Sequence, residues 1–154
     1  MPLAIRRADP RDTAVVAEFN RLLASETEGK ILDPGVLARG VARLLADPAR
    51  GFYLVAEADG QVVGQVMATF EWSDWRDGWF WWVQSVYVRD GYRRHGVFRA
   101  LFTEMVRRAR DAGDVIGLRL YVENQNTRAQ ATYEGLGLRN AGYSVRESLL
   151  DALP

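Results

Sequence analysis

The sequence predicts a mixed α/β fold in a single domain. Amphipathic helical stripes alternate with β-rich runs, two Asp-Gly turns separate three of those runs, and the length suits one hydrophobic core. The chain has 154 residues, 48% of them hydrophobic, and a chain of this size buries roughly 70% of its unfolded surface. No repeat, low-complexity tract or linker divides it, so residues 1–154 are predicted to form one domain.

The first half begins with a strand and two helices. Leu3 to Arg7 is typical of a short strand, and Asp12 opens a helical pattern. The polar segment SETEGKILD is predicted to be a loop. A second helix follows, with Pro34 in its first turn, where proline is tolerated, and Pro48 beyond its end.

Three antiparallel strands come next. In FYLVAEADGQVVGQVMATFEW, Asp59-Gly60 supplies the positive φ angles that a tight hairpin needs. Asp77-Gly78 then separates this hairpin from the run WFWWVQSVYV. After it the pattern predicts a helix from Arg94 to Ala112 capped by Gly113, a strand VIGLRLYV, a helix from Asn126 to Leu136 and a closing strand from Gly142 to Leu150.

Composition excludes several function classes. Twenty basic and twenty acidic side chains give zero formal net charge, so no overall field directs the chain to nucleic acid or to an anionic membrane. The absence of cysteine excludes disulfides, thiolate metal sites and a cysteine nucleophile, and suits a reducing cytoplasm. No apolar run approaches the ~18 residues of a membrane span. A cytoplasmic protein without a metal, nucleic-acid or membrane partner is expected.

The segment VYVRDGYRRHGVFRALFTEMVRRAR joins a strand to a helix and is the most informative one. Arginines crowd the helix start, whose N–H groups already carry about half a positive charge, so each is unfavourable there by ~0.3 to 1 kcal/mol unless an anion binds. The strand, the turn with Gly96 and the helix N-terminus can present several N–H groups to a phosphate or pyrophosphate. Solvated arginines on a surface helix are the alternative.

Two common nucleotide-binding patterns do not fit this segment. Gly91 and Gly96 match only the first half of GxxxxGK[ST], because Val97 and Phe98 occupy the Lys and Ser/Thr positions. GxGxxG is absent as well. Nucleotide hydrolysis and dinucleotide binding are therefore disfavoured.

The segment resembles the signature [QR]-x-x-G-x-[GA] of the GNAT superfamily of acyl-CoA-dependent N-acyltransferases. It is read here from Arg93 to Phe98, with Phe98 in place of the final Gly or Ala. The strand QSVYV before it, the helix after it, a downstream N-x-x-A-x-x-x-Y and the ending YEGLGL extend the likeness over nearly the whole chain. The resemblance implies a mainly antiparallel sheet of six or seven strands, splayed after the fourth and flanked by about four helices.

The resemblance also implies acetyl-CoA as the co-substrate. Main-chain groups of Val86 and Val88 would pair with pantetheine, and amides from Arg94 to Arg99 would hold the pyrophosphate. Asn126 suits a helix N-cap and is placed beside pantetheine too. The lone histidine fits a solvated turn better than an acid/base role. The predicted coenzyme-binding set is Val86, Tyr87, Val88, Arg93, Arg94, His95, Gly96, Val97, Phe98, Arg99, Asn126, Ala129 and Tyr133.

Acetyl transfer to an amine sets two proton requirements. An amine with a pKa near 10.4 is neutral in only about 1 part in 2,500 at pH 7, so a base must take its proton. No motif identifies the base. Glu71 and Glu28 are the predicted candidates, because burial beside tryptophans would raise a carboxyl pKa. The resemblance assigns Tyr133 as the proton donor to the leaving thiolate, although a core aromatic is the other interpretation.

All five tryptophans lie between Trp72 and Trp82. Trp79 and Trp81 alternate with Phe80 and Trp82, so one set is expected to enter the core and the other to face a helix, the partner of a homodimer or the acceptor pocket. An aromatic wall near carboxylates suits a cationic or aromatic amine. The predicted function is N-acetylation of a primary amine of a small molecule or peptide; the alternative is a non-catalytic acyl-CoA-binding or interaction module.

Overall fold

Five strands form one sheet in the order β1-β2-β3-β4-β5. The computed structural model describes all 154 residues and groups them into two units, Met1–Tyr121 and Val122–Pro154. The first unit contains the sheet and three helices, and the second contains the fourth helix. The elements are β1 (Ala4–Arg7), α1 (Thr13–Glu28), α2 (Pro34–Ala46), β2 (Phe52–Ala58), β3 (Gln61–Ser73), β4 (Gly78–Val88), α3 (Val97–Ala112), β5 (Val115–Leu120) and α4 (Thr127–Gly135).

The sheet is mixed and mainly antiparallel, which confirms the predicted fold class. β1, β2, β3 and β4 pair antiparallel in sequence order, and β4 pairs parallel with β5. Asp59 and Gly60 turn the first hairpin with φ angles of 51° and 75°, as the sequence predicts. The β4–β5 pairing runs only from Trp79 to Val83, whereas β4 continues to Val88. β5 itself ends at Leu120, opposite Val83, so the last residues of β4 have no partner strand on that side, as expected for a sheet that opens after the fourth strand.

Hydrophobic side chains cover both faces of the sheet. Leu54 of β2 belongs to a buried cluster with the α3 residues Leu101 and Met105. Its neighbour Tyr53 belongs to a second cluster, which includes apolar residues of α1 and α2. Because successive strand residues point to opposite faces, α3 covers one face and α1 with α2 covers the other.

Gly64 sets how closely α3 approaches the sheet. A Cβ atom at this position of β3 would lie 2.8 Å from Cγ1 of Val97, the first residue of α3, and 3.3 Å from the carbonyl oxygen of Tyr87. Real Cβ atoms do not come this close, so the glycine allows the helix start to rest directly on β3 and β4. The start of α3 is thereby fixed beside the end of β4.

Two predicted helix boundaries differ from the structure. α1 continues through half of the predicted loop to Glu28, because the Ser, Glu and Thr residues there tolerate a helix until Gly29 ends it with φ 62°. α3 begins at Val97 and not at Arg94, because Arg94 and Gly96 have left-handed φ angles of 64° and 81°. Both corrections concern helix ends, where local backbone conformation decides the boundary.

The predicted closing strand from Gly142 to Leu150 is absent. Gly142 has a φ of 81°, outside the extended region, and only Leu150–Ala152 form a short 3-10 turn. A strand requires backbone partners, and none of these residues belongs to the sheet. The sheet thus has five strands in place of the predicted six or seven. The prediction that residues 1–154 form one domain stays a prediction.

Candidate functional site

The last residues of β4 form an open edge of the sheet. The N–H group of Arg89 donates to the carbonyl oxygen of Val63 at 2.8 Å, so it points towards β3. Main-chain hydrogen-bonding directions alternate along a regular strand, which turns the groups of Val88 the opposite way. On that side β5 has already ended, at Leu120 opposite Val83. The gap beside the end of β4 is therefore lined by its main-chain groups, and the carbonyl of Val88 accepts there from Nε of Arg93.

A β-bulge lies at the start of this open edge. Gln65 of β3 pairs with Tyr87, but Met67 pairs with Gln84, so the single residue between them on β3 faces both Ser85 and Val86. Ser85 adopts a left-handed φ of 51°, a conformation that costs a non-glycine residue roughly 1 kcal/mol or more. The bulge follows the last β4–β5 pair closely and bends β4 away from β5.

The turn before α3 has the conformation of an anion-binding turn. Arg94 and Gly96 both have positive φ angles, α3 has no side-chain N-cap, and its first intrahelical bond runs from the N–H of Ala100 to the carbonyl of Gly96 at 3.0 Å. The side chains of Arg94, His95 and Arg99 are exposed. A turn of this kind directs N–H groups and positive charge to one place.

The side chain of Phe98, the residue that departs from the signature, packs along its own helix. Its ring centroid lies 5.9 Å from that of Phe102, one turn further on. Val97 beside it is buried in the core. The bulk of the phenylalanine is thus accommodated against α3.

Arg93 is already engaged by the protein itself. It donates to Oε2 of Glu26 at 2.6 Å and to the carbonyl of Val88 at 2.8 Å, and the hydrogen bond with Glu26 raises its pKa. The phenol of Tyr87 donates to Oε1 of the same glutamate at 3.1 Å. Burial, and then Glu26, raise the pKa of Tyr87. Among the predicted binding residues, Arg93 and Tyr87 therefore hold α1 to the end of β4.

In the second unit, α4 begins as the sequence predicts. Oδ1 of Asn126 accepts from the N–H of Ala129 at 3.1 Å, which is an N-cap. Tyr133 lies on this helix, half-buried, and burial raises its pKa. Its phenol therefore keeps its proton at neutral pH.

Comparison with known proteins decides the family. The model of the acetyltransferase (GNAT) family matches residues 16–138. The chain belongs to the GNAT acetyltransferase family. A crystal structure of a possible acetyltransferase from Clostridium difficile 630 is similar to it, with 45% identity, a TM-score of 0.91, and coverage of 97% of this chain and 99% of the other.

More distant solved structures share the fold of this GNAT chain. A predicted acetyltransferase with acetyl-CoA from Clostridium acetobutylicum is 17% identical, with a TM-score of 0.78 and 97% and 98% of the two chains covered. A ribosomal-protein-alanine N-acetyltransferase from Brucella melitensis biovar Abortus 2308 is 20% identical, with a TM-score of 0.78 and 96% and 99% covered. Among curated proteins, nothing matches the chain.

The two carboxylates predicted as the base of this GNAT protein have different surroundings. Oε1 of Glu71 accepts from Nε1 of Trp82 at 2.9 Å and from Arg119 at 2.8 Å. Glu71 also lies five residues beyond the β3 residue opposite the bulge, about 17 Å along the strand. Glu28 is the last residue of α1, and it has only an exposed ion pair with Lys30, at 3.7 Å.

The tryptophan-rich segment of the GNAT chain is mostly packed. Trp81 contacts Phe52 of the core with ring centroids 5.2 Å apart, whereas Trp82, the next residue, stacks on Tyr121 at 4.5 Å. The predicted alternation of two aromatic sets is confirmed. Trp75, at the tip of the hairpin, is 89% exposed.

The sequence analysis missed a buried polar network beneath the bulge. Nε2 of Gln65 donates to Oδ1 of Asn20 at 2.9 Å and to the carbonyl of Ser85 at 3.1 Å, and Nδ2 of Asn20 donates to the phenol of Tyr53 at 2.9 Å. Gln65 is fully buried. The signal that could have revealed it is a lone glutamine inside the apolar run VVGQVM.

Two other features bear on site chemistry. No group of three or more His, Cys, Asp or Glu side chains is arranged to hold a metal ion. None of the helices combines the length and the apolar character that crossing a bilayer requires.

Proposed function

We propose that this GNAT protein is an acetyl-CoA-dependent N-acetyltransferase that acts on a primary amine of a small molecule or peptide. The observation that carries the proposal is the open edge of β4. β5 ends opposite Val83, so Val86 and Val88 have no partner strand on that side, and an uncapped helix start follows at Val97. This arrangement suits a long, flexible amide chain that ends in a diphosphate.

The proposed coenzyme contacts follow the same geometry. Val86 and Val88 pair with the pantetheine amides through their main chain, and the turn from Arg94 to Arg99 holds the pyrophosphate. Because Arg93 is already paired with Glu26, the exposed guanidinium groups of Arg94 and Arg99 are the ones that contact phosphate. Asn126 and Ala129 are also proposed to contact the coenzyme, because they match the family pattern.

The proposed reaction is direct transfer without an acyl-enzyme. A base takes one proton from the ammonium form of the acceptor, the neutral nitrogen attacks the thioester carbonyl carbon, a C–N bond forms and the C–S bond breaks. The nitrogen then loses its second proton, which replaces the one that Tyr133 gives to the thiolate. The N–H of Val86 stabilises the oxyanion. Tyr133 donates a hydrogen bond to the departing thiolate. Because an ordinary phenol is a weaker acid than a thiol and burial raises the pKa of Tyr133, proton transfer follows C–S cleavage.

The base is proposed from the two predicted carboxylates. Glu28 is tested first, because it has only a weak surface ion pair, whereas Glu71 would have to give up Arg119 to become protonated. The acceptor is proposed to be a cationic or aromatic amine, on the basis of the exposed Trp75 and the exposed carboxylates of Asp74 and Asp77 at the same turn. A cytoplasmic location is proposed from the cysteine-free sequence.

An amine-library assay that follows release of the CoA thiol tests this function. We expect transfer with acetyl-CoA, and we expect Tyr133→Phe to lower kcat roughly 100-fold while the Kd for acetyl-CoA, measured by calorimetry, stays within about 2-fold. Binding of acetyl-CoA without transfer to any amine would favour the non-catalytic module. No heat of binding with acetyl-CoA would overturn both.

A further inference from the structure

Gln65 holds the one main-chain carbonyl that sits inside the β4 bulge. Its Nε2 lies between two acceptors, the carbonyl oxygen of Ser85 at 3.1 Å and Oδ1 of Asn20 at 2.9 Å. A main-chain carbonyl can only accept, so the glutamine amide cannot be reversed. The same reasoning fixes Asn20, whose Nδ2 then donates to the phenol of Tyr53. We call Tyr53, Asn20, Gln65 and Ser85 the Gln65 network.

The hydrogen bond to Ser85 has a consequence for the next residue. The carbonyl of Ser85 and the N–H of Val86 belong to one planar trans peptide, in which the two groups point in opposite directions. Gln65 draws the carbonyl towards the α1 side of the sheet, so the N–H of Val86 is directed away from it. Ser85 is in a left-handed conformation, and the hydrogen bond with Gln65 keeps this peptide from rotating.

We propose that Gln65 is a positioning residue for acyl transfer. By holding the Ser85 carbonyl, it aims the N–H of Val86 at the place where the oxyanion forms. The inference rests on the proposed function, because it gives that N–H its catalytic role. Asn20 acts one step further away, by fixing the orientation of the Gln65 amide, whereas the phenol of Tyr53 pairs with both Asn20 and the side chain of Ser85.

The two ends of the Gln65 amide have unequal surroundings. Oε1 is fully buried and has no hydrogen-bond partner, whereas Nε2 donates to both Asn20 and the Ser85 carbonyl. An apolar side chain of similar length would avoid burying the oxygen but would leave those two acceptors without a donor. The benefit of glutamine at this position therefore lies in the two groups that Nε2 holds.

Three variants form a graded test. We expect Gln65→Met to lower kcat roughly 10- to 100-fold, because a misdirected oxyanion donor loses most of its effect. Asn20→Leu and Tyr53→Phe should each lower kcat by roughly 3- to 10-fold, because each removes a hydrogen bond of the network but leaves the one between Gln65 and the Ser85 carbonyl. The Kd for acetyl-CoA should stay within about 3-fold in all three. An effect on Kd equal to the effect on kcat would overturn the positioning role.

Met105→Ala is the matched control. Met105 is a fully buried α3 residue outside the network, so this variant loses stability without touching Ser85. Activity per folded molecule, measured below the unfolding transition, should remain near the wild-type value. A fall in kcat equal to that of Gln65→Met would overturn the proposal, since any loss of packing would then suffice.

The direction of the Val86 N–H can also be read without turnover. In Gln65→Met, we expect the amide resonance of Val86 to shift and its hydrogen exchange to accelerate, with no change at Val63 on the same hairpin. An unchanged Val86 amide would overturn the positioning role. If the wild-type protein transferred no acetyl group while this amide responded, the proposed function would fail and the coupling between Gln65 and Val86 would stand.

Discussion

The two ends of the β3–β4 hairpin differ in strand pairing and in side-chain packing. At the aromatic end, from Glu71 to Trp82, residues pair in order across the hairpin, rings pack on each other, and Glu71 is paired with Arg119. At the bulge end, from Gln65 to Val88, the register breaks, Ser85 is left-handed, and a polar network replaces apolar packing. β5 pairs with β4 along the first end and ends before the second.

This difference shows which part of the hairpin has main-chain groups available to bind a ligand. At the aromatic end β4 pairs with β3 on one side and with β5 on the other, so few of its main-chain groups remain there for a ligand. At the bulge end Val86 and Val88 have no partner strand on one side, although the carbonyl of Val88 accepts from Arg93, and the buried amide of Gln65 holds the carbonyl of Ser85 in place. The tryptophans are conspicuous in the sequence, but in the structure most of them pack against neighbouring rings.

The largest expected effect comes from a matched pair of glycines, one near each end. A Cβ at Gly64 would lie 2.8 Å from Val97 at the start of α3, and a Cβ at Gly117 would lie 2.8 Å from the ring of Phe80. We expect each alanine variant to lower the free energy of unfolding by ~1 to 3 kcal/mol. Only Gly64→Ala should also weaken acetyl-CoA binding, by roughly 10-fold, because it displaces the turn that is proposed to hold the pyrophosphate.

Calorimetry with acetyl-CoA and thermal melts separate the two effects. Equal losses of affinity in Gly64→Ala and Gly117→Ala would show that both ends of the hairpin serve the coenzyme, and the two ends would then not differ in binding.

A smaller effect is expected at Glu71. We expect Glu71→Gln to keep kcat within about 3-fold, since its carboxylate serves Trp82 and Arg119, and to lower stability by ~1 kcal/mol. Glu28→Gln, measured in parallel, should flatten the acidic limb of the pH–rate profile if it is the base. A 100-fold loss of kcat in Glu71→Gln, with that limb removed, would assign catalysis to the aromatic end.

The smallest expected effect concerns Glu26 and alkaline pH. Burial, and then Glu26, raise the pKa of Tyr87 above its ordinary value near 10. The folded state therefore holds this proton more tightly, which stabilises the protein below about pH 10 and is lost as pH rises through the folded pKa. Glu26→Gln removes the second cause, so stability should fall less steeply above about pH 10 in melts followed by circular dichroism. Parallel curves for the two proteins would contradict this.

The sequence predicted the elements that local chemistry specifies. Asp59-Gly60 dictates its own hairpin, Pro34 marks a first helical turn, and Asn126 caps a helix with its own side chain. The signature residues from Arg93 to Phe98 located the turn before α3. These features depend on neighbouring residues alone, so a single sequence contains them.

What the sequence could not give depends on distant partners. The sequence pattern placed Arg93 among the coenzyme-binding residues. It could not show that Arg93 also pairs with Glu26, which lies 67 residues away in sequence. Gln65 went unnoticed because its partners Asn20 and Ser85 lie 45 and 20 residues away. The segment from Gly142 to Leu150 showed strand-like residues, but a strand also needs a neighbour to pair with.

The bulge at Ser85 makes the length of β4 part of its function. Along a regular strand every residue alternates between faces, and one extra residue reverses that parity for everything downstream. With the extra residue, Tyr87 is buried and the main-chain groups of Val88 point into the gap. Removing a single residue between Ser85 and Val88 would exchange these two directions while leaving the composition almost unaltered. We therefore expect Val86 and Val88 to tolerate a change of side chain better than this segment tolerates a change in residue count.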